Sequence, residues 1–170
     1  MRRVRHYLPL TVMLLLYHTL IFPYLSYCNI VWGSAKPTVL NKILLLQKRA
    51  VRLCTGSGYR APSIPLFKRL QLLKITEINE LQTMIFMFKV KHGLLPAACT
   101  HYVTVADTNN FYDTRKKSFF KCNKFRTSIR ENSLSVRGPK QWNLLPVCIQ
   151  NSCSLGTLKK SLSVYLLSVY

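Results

Sequence analysis

The chain has 170 residues, 49% of them apolar, which suffices for one domain or one domain with an appended module and excludes a disordered polyelectrolyte. It carries 25 Lys+Arg against 5 Asp+Glu, a formal charge of +20, so a polyanion is the expected partner: nucleic acid first, an anionic membrane face next. Only Glu77, Glu80, Asp107, Asp113 and Glu131 are available as hard-metal ligands or acid–base groups, thin material for an active site.

The first predicted element follows the basic lead MRRVRH. Residues 7–32 contain no Lys, Arg, Asp or Glu, as in a signal anchor, so a cationic single-pass membrane or secreted protein is the alternative reading. Against it, Pro9 and Pro23 bracket only residues 10–22, short of the roughly 20 that a spanning helix needs. Tyr, Ser and Asn also stud residues 24–32, which suits a buried helix pair better than lipid. A helix is therefore expected over residues 10–22, broken at Pro23, with a second short helix or bend over 24–32.

After the connector Gly33-Ser34-Ala35-Lys36-Pro37, residues 38–54, TVLNKILLLQKRAVRLC, form the clearest amphipathic helix, stopped by Gly56 and Gly58. Leu40, Ile43, Leu44, Ala50, Val51 and Cys54 share one face, while Lys42, Lys48, Arg49 and Arg52 gather on another. No acid intervenes to offset the repulsion, and the stripe reads evenly as a solvated face or a phosphate-facing one. Residues 63–72 are expected as a short helix after the Ala61-Pro62 turn. Thr76 then caps a longer helix to about residue 92, with Glu77 and Glu80 early and Lys89, Lys91 and His92 late, as the helix dipole favours. Ile78, Leu81, Ile85 and Phe88 make its stripe, and Met84, Phe86 and Met87 render it apolar nearly all round, a central core helix ended by Gly93 and Pro96.

Past residue 100 the helical period fades. Residues 118–122 and 133–136 read as the short strands of a hairpin. Arg115, Lys116, Lys117, Lys121, Lys124, Arg126, Arg130 and Arg137 interleave with Tyr112, Phe119, Phe120 and Phe125, which suits a surface that holds a phosphate backbone while bases stack. The competing reading is a small sheet that buries its aromatics and leaves its cations in water. Leu158, Leu162, Tyr165 and Leu166 then give the stripe of a final amphipathic helix.

Nothing resembling a catalytic constellation accompanies these elements. There is no Asp-Asp pair for two metals, no phosphate-cradling Gly-rich loop, no G-x-S-x-G and no H-E-x-x-H. The histidines are scattered, and the six cysteines lack zinc spacing and read as reduced. Glu77 and Glu80 read as helix-start carboxylates rather than a metal pair. No catalytic residue, metal or cofactor is expected of this chain on its own.

Three segments in fixed order add a further signal: LYHTLIFPYLSYCNIVWGS at residues 16–34, LNKILLLQKRAVRL at 40–53 and SVRGPKQWNLLP at 135–146. They resemble the region downstream of the fingers and palm in LINE-type (non-LTR) retrotransposon reverse transcriptases. Weaker stretches at residues 61–73, 88–96, 112–115 and 158–167 follow the family's order, so the resemblance extends over nearly the whole chain from about residue 8. It implies a mainly α fold: a thumb-like helical bundle over residues 1–99, then a small, basic α+β tail module over 100–170 with a short β-hairpin, an RGPKxWNxLP box and a C-terminal helix. In that reading Trp32 and Trp142 are structural core residues. Gly138-Pro139 ends a strand and starts a one-turn helix that presses Trp142 inward, with Leu145-Pro146 as the stop.

The resemblance further implies a transposable-element fragment. The Tyr-x-Asp-Asp box and the endonuclease domain of such RNA-directed DNA polymerases do not occur in this sequence, and Met1 is expected to mark a start inside a truncated copy. The implied function is non-catalytic: gripping template RNA or RNA–DNA hybrid by its backbone, without sequence preference. The candidate contacts are Lys42, Lys48, Arg49, Arg52, Arg115, Lys116, Lys117, Lys121, Lys124, Arg126, Arg130, Arg137 and Lys140. The absent polymerase palm is a second expected partner, a membrane belongs to the alternative alone, and the nucleus or cytoplasm is favoured over the membrane. A third reading is a product without function, barely folded because the palm is missing and left with an exposed apolar patch.

Overall fold

The structure, a computed structural model, describes residues 3, 5–96, 99, 103, 120–122 and 124–168. Among the described residues there are ten α-helices and no strand, so the mainly α expectation holds. The chain divides into two compact units, Met1–Glu80 with Ser163–Tyr170, and Leu81–Leu162.

In the first unit the apolar leader is three helices rather than two: α1 (Leu10–Leu20), α2 (Phe22–Ser26) and α3 (Asn29–Trp32). Pro23 cannot donate to the carbonyl of Thr19, so α1 ends two residues earlier than expected, the chain turns at Ile21, and Pro23 falls in the first turn of α2 where no amide is needed. Cys28, with φ of 49°, supplies the left-handed corner before α3. No helix among the described residues is long and apolar enough to cross a membrane. α1 packs instead on α2 and on α4 (Pro37–Cys54), and α4 on α5 (Ser63–Leu70). Met13, Tyr17, Ala50, Val51, Cys54, Phe67 and Leu72 form the core between them, with Leu25, Ile75 and Ile78 as a second cluster.

Two buried amides organise this unit. Gln47, 1% exposed, donates from Nε2 to Tyr17 Oη at 3.0 Å and to the Leu73 carbonyl at 2.9 Å. Its Oε1 accepts the N–H of Ile75 at 3.0 Å, the first amide of α6 (Ile75–Lys91), which as a helix-start donor has no partner within its own helix. Asn79 donates to the carbonyl and Oδ1 of Asn29 at 2.8 and 2.7 Å, while Asn29 donates to the Leu25 carbonyl at 2.7 Å. Gly33 lies against this pair, where an added Cβ would stand 2.5 Å from Asn29 Oδ1 and overlap the Asn79 amide nitrogen. Gly is required there for close approach, since its φ of −69° is open to any residue.

The second unit holds the rest of α6 from Leu81, then α7 (Ser128–Glu131), α8 (Leu134–Leu144), α9 (Val147–Gln150) and most of α10 (Leu155–Ser168). Its core is Met84, Met87, Phe88, Val103, Phe120, Trp142, Ile149, Leu158 and Leu162. Residues 133–136 do not form the expected strand: Ser133 is the N-cap of α8, and its carbonyl accepts from Val136 and Arg137. Residues 118 and 119 of the other expected strand lie outside the described residues. Nor does Gly138-Pro139 start a one-turn helix; both sit inside α8. Packing decides this, because Val136, Gly138, Pro139 and Trp142 are the buried residues of α8 and Gly138 lets the helix approach Met87, whose Sδ would be 2.7 Å from an added Cβ.

Trp142 is fully buried, with the Phe120 ring edge-on at 6.0 Å and Lys91 Nζ 5.9 Å from its ring centre. α8 stops at Leu144 because Leu145, preceding Pro146, is held extended. Gln150 closes that end, donating to the carbonyls of Trp142 and Leu145 at 3.0 and 2.8 Å. Trp32 is only half-buried against its cluster, its indole N–H donating to the Tyr27 carbonyl at 2.7 Å.

Candidate nucleic-acid interface

In α4 the 3.6-residue period sends Ala50, Val51 and Cys54 inward with Gln47, and turns the four cations outward to different degrees. Arg52 is half-buried, and its Nε donates to the Ala61 carbonyl at 2.8 Å. Arg49 lies over the Tyr59 ring at 5.9 Å and donates to its hydroxyl at 3.4 Å. These two guanidiniums therefore fasten the α4–α5 connection, while keeping further N–H groups outward. Exposed Lys42 and half-exposed Lys48 form no ion pair among the described residues.

In the second unit Lys121, Lys124, Arg126 and Arg130 are all exposed. Thr127 between them caps α7 through Oγ1, which accepts the Arg130 N–H at 3.3 Å. Exposed Lys140 stands 3.8 Å from Glu131 Oε1, an ion pair open to water and salt that contributes little to stability. Arg137 is half-buried and reaches Thr83 Oγ1 at 3.5 Å, so it ties α8 to α6. Arg115, Lys116 and Lys117, with Tyr112 and Phe119, lie outside the described residues.

The expected alternation of cations and stacking aromatics thus separates. Phe120 faces Trp142 in the core and has no face for a base, whereas Phe125 is 41% exposed beside Lys124 and Arg126. Sequence alone does not distinguish these two phenylalanines. It also misses Gln47, Asn29 and Asn79, although an amide set among Leu44, Ala50 and Val51 at helical spacing is a signal of buried hydrogen bonding.

Among the described residues, several ionisable side chains serve the fold directly. Glu77 accepts the backbone N–H of Lys74 at 2.9 Å and meets its ammonium at 3.4 Å, the cap expected of a helix-start carboxylate. Burial raises the Tyr17 pKa, against a lowering by the Gln47 hydrogen bond, and burial likewise pushes the Cys54 thiol up. Both remain protonated at neutral pH, so Cys54, donating weakly to the Met13 carbonyl at 3.6 Å, is no nucleophile. Among the described residues no three His, Cys, Asp or Glu side chains group to hold a metal ion. What the arrangement can do is present ammonium and guanidinium groups to an anion. Protein-family models, curated proteins and solved structures all give no match to this chain.

Proposed function

We propose that this chain is a non-catalytic piece of a retrotransposon-type RNA-directed DNA polymerase that holds template RNA or RNA–DNA hybrid by its phosphates, without reading bases. The observation that supports the binding is the unbalanced charge on the exposed surface. Lys42, Lys48 and Arg49 lie along one helix, and Lys121, Lys124, Arg126 and Arg130 are exposed near α7. Of the five carboxylates in the sequence, Glu77 and Glu131 already face lysines of the chain itself. The polymerase origin is supported by the ordered resemblance of residues 16–34, 40–53 and 135–146. It carries with it the polymerase palm as a second partner and a nuclear or cytoplasmic location.

Each lysine or arginine that meets a phosphate releases a condensed counterion, so affinity falls with salt at a log–log slope of about −0.7 to −0.9 per contact. The test is fluorescence anisotropy of the full chain with labelled RNA, RNA–DNA hybrid and duplex DNA across a salt series. Affinity independent of base sequence and a slope of about −3 or steeper are expected, equivalent to roughly four phosphates. Lys42→Ala with Lys48→Ala should flatten the slope by about two, one per lysine. Lys68→Ala with Arg69→Ala, two exposed cations of α5, is the control pair and should flatten it less. Salt-independent binding, or equal flattening in the control pair, overturns the assignment.

A further inference from the structure

The first unit contains an open, almost wholly apolar groove of about 440 Å³, walled by Leu20, Tyr24, Trp32, Ile43, Leu46 and Gln47 among others. Its depth offers no unengaged polar side chain. Both ends of the Gln47 amide are bonded within the protein, and the Trp32 indole N–H is held by the Tyr27 carbonyl. The two lips differ. One comes from α1 and α2, within residues 7–32 that carry no Lys, Arg, Asp or Glu. On the other, Lys42 and Arg49 lie about one helical turn to either side of Leu46, along the outer edge of α4. Leu20, Leu46 and Tyr24 are 55%, 61% and 81% exposed, so the apolar rim stands open to solvent.

We propose that this groove binds a single-chain alkyl carboxylate, with its hydrocarbon along the apolar floor and its carboxylate at Lys42 and Arg49. Charge selects the occupant. A second copy of a +20 chain would bring the same cations to the lip, whereas a carboxylate brings the opposite charge. The volume falls in the span of small-molecule sites, about 300–1,000 Å³. Arg49 gives one N–H to Tyr59 and keeps others for an anion.

The experiment titrates the full chain with 12-bromododecanoate and reads bromine quenching of tryptophan fluorescence. Trp32 lines the groove, while Trp142 is fully buried in a different core and supplies the unquenched background. Saturable quenching is expected, lost in Trp32→Phe. In competition, affinity should rise about fourfold per added methylene from octanoate to dodecanoate. Dodecyltrimethylammonium should compete about tenfold or more weakly than dodecanoate, and Leu46→Glu, at an exposed position, should weaken bromododecanoate by a similar factor with helicity unchanged. Quenching that survives Trp32→Phe, or equal affinity for the anionic and cationic amphiphiles, overturns the proposal. So does saturable binding of an acid-flanked amphipathic peptide without any of the carboxylate, which would assign the groove to a protein partner.

Discussion

Replacing Gln47 by Leu keeps a buried side chain of similar size and removes an amide that meets three groups: Tyr17 Oη, the Leu73 carbonyl and the Ile75 N–H. Tyr17 and Ile75 are at most 1% exposed, so water is a poor substitute for the lost partner. A buried polar group left without its hydrogen bond costs about 1–3 kcal/mol, and the leucine's added apolar contact offsets about a third of the sum, leaving about 3 kcal/mol. That is a large fraction of the roughly 5–15 kcal/mol that stabilises a typical domain. In urea, followed by circular dichroism at the helical minimum, the midpoint should fall by about 1–2 M with the slope unchanged. Tyr17→Phe removes one of the three partners and should cost about 1 kcal/mol alone. In the double variant the shared bond is lost only once, so the two costs should fall short of additivity by about 1 kcal/mol. A single-variant cost under about 1 kcal/mol, or strict additivity in the double, would refute the amide's role as the junction of α1, α4 and α6.

Stability should also decline in alkali. Tyr17 and Cys54 have raised pKa values in the folded chain, so their contribution is complete below the unfolded-state range and is lost as pH climbs past about 8.5 for Cys and 10 for Tyr, because the unfolded state releases those protons first. A urea-midpoint series under reductant, flat up to pH 8 and falling above it, checks the sign. Gly33→Ala should cost about 1–3 kcal/mol by forcing Asn29 and Asn79 apart, visible as a lower melting temperature. Trp142→Ala should cost about 3–5 kcal/mol and remove its indole contribution to the near-ultraviolet dichroism at about 290 nm. Lys140→Ala, by contrast, should move the melting midpoint by no more than the equivalent of about 0.5 kcal/mol.

The helices most readable in the sequence are those with a sustained period and a punctuated end. α4 begins one residue before the expected start and ends where expected, at Cys54, because its apolar face, Pro37 and the following glycines all agree. α6 starts at Ile75, so Thr76 lies inside the helix rather than capping it, while the C-terminal end at Lys91 falls just short of Gly93 as expected. The tail is harder because local and tertiary preferences conflict. Ser-Leu-Ser-Val at residues 133–136 alternates like a strand, and Gly138-Pro139 suggests a break, yet burial of Val136, Pro139 and Trp142 three residues apart makes a helix the better packed answer. The candidate interface is legible as charge but not as geometry. Arg49, Arg52 and Arg137 resemble any exposed cation until the Tyr59, Ala61 and Thr83 acceptors, 9 to 54 residues away in sequence, are brought beside them.

A helix interrupted at its middle by Gly138 and Pro139 is intrinsically poor, by about 1 and 3 kcal/mol relative to alanine at those positions. Cut out as a peptide, residues 133–146 should therefore be coil, and α8 cannot wait preformed for its neighbours. Its winding is therefore coupled to the burial of its indole against Phe120, so this short box gains its helix only together with its core.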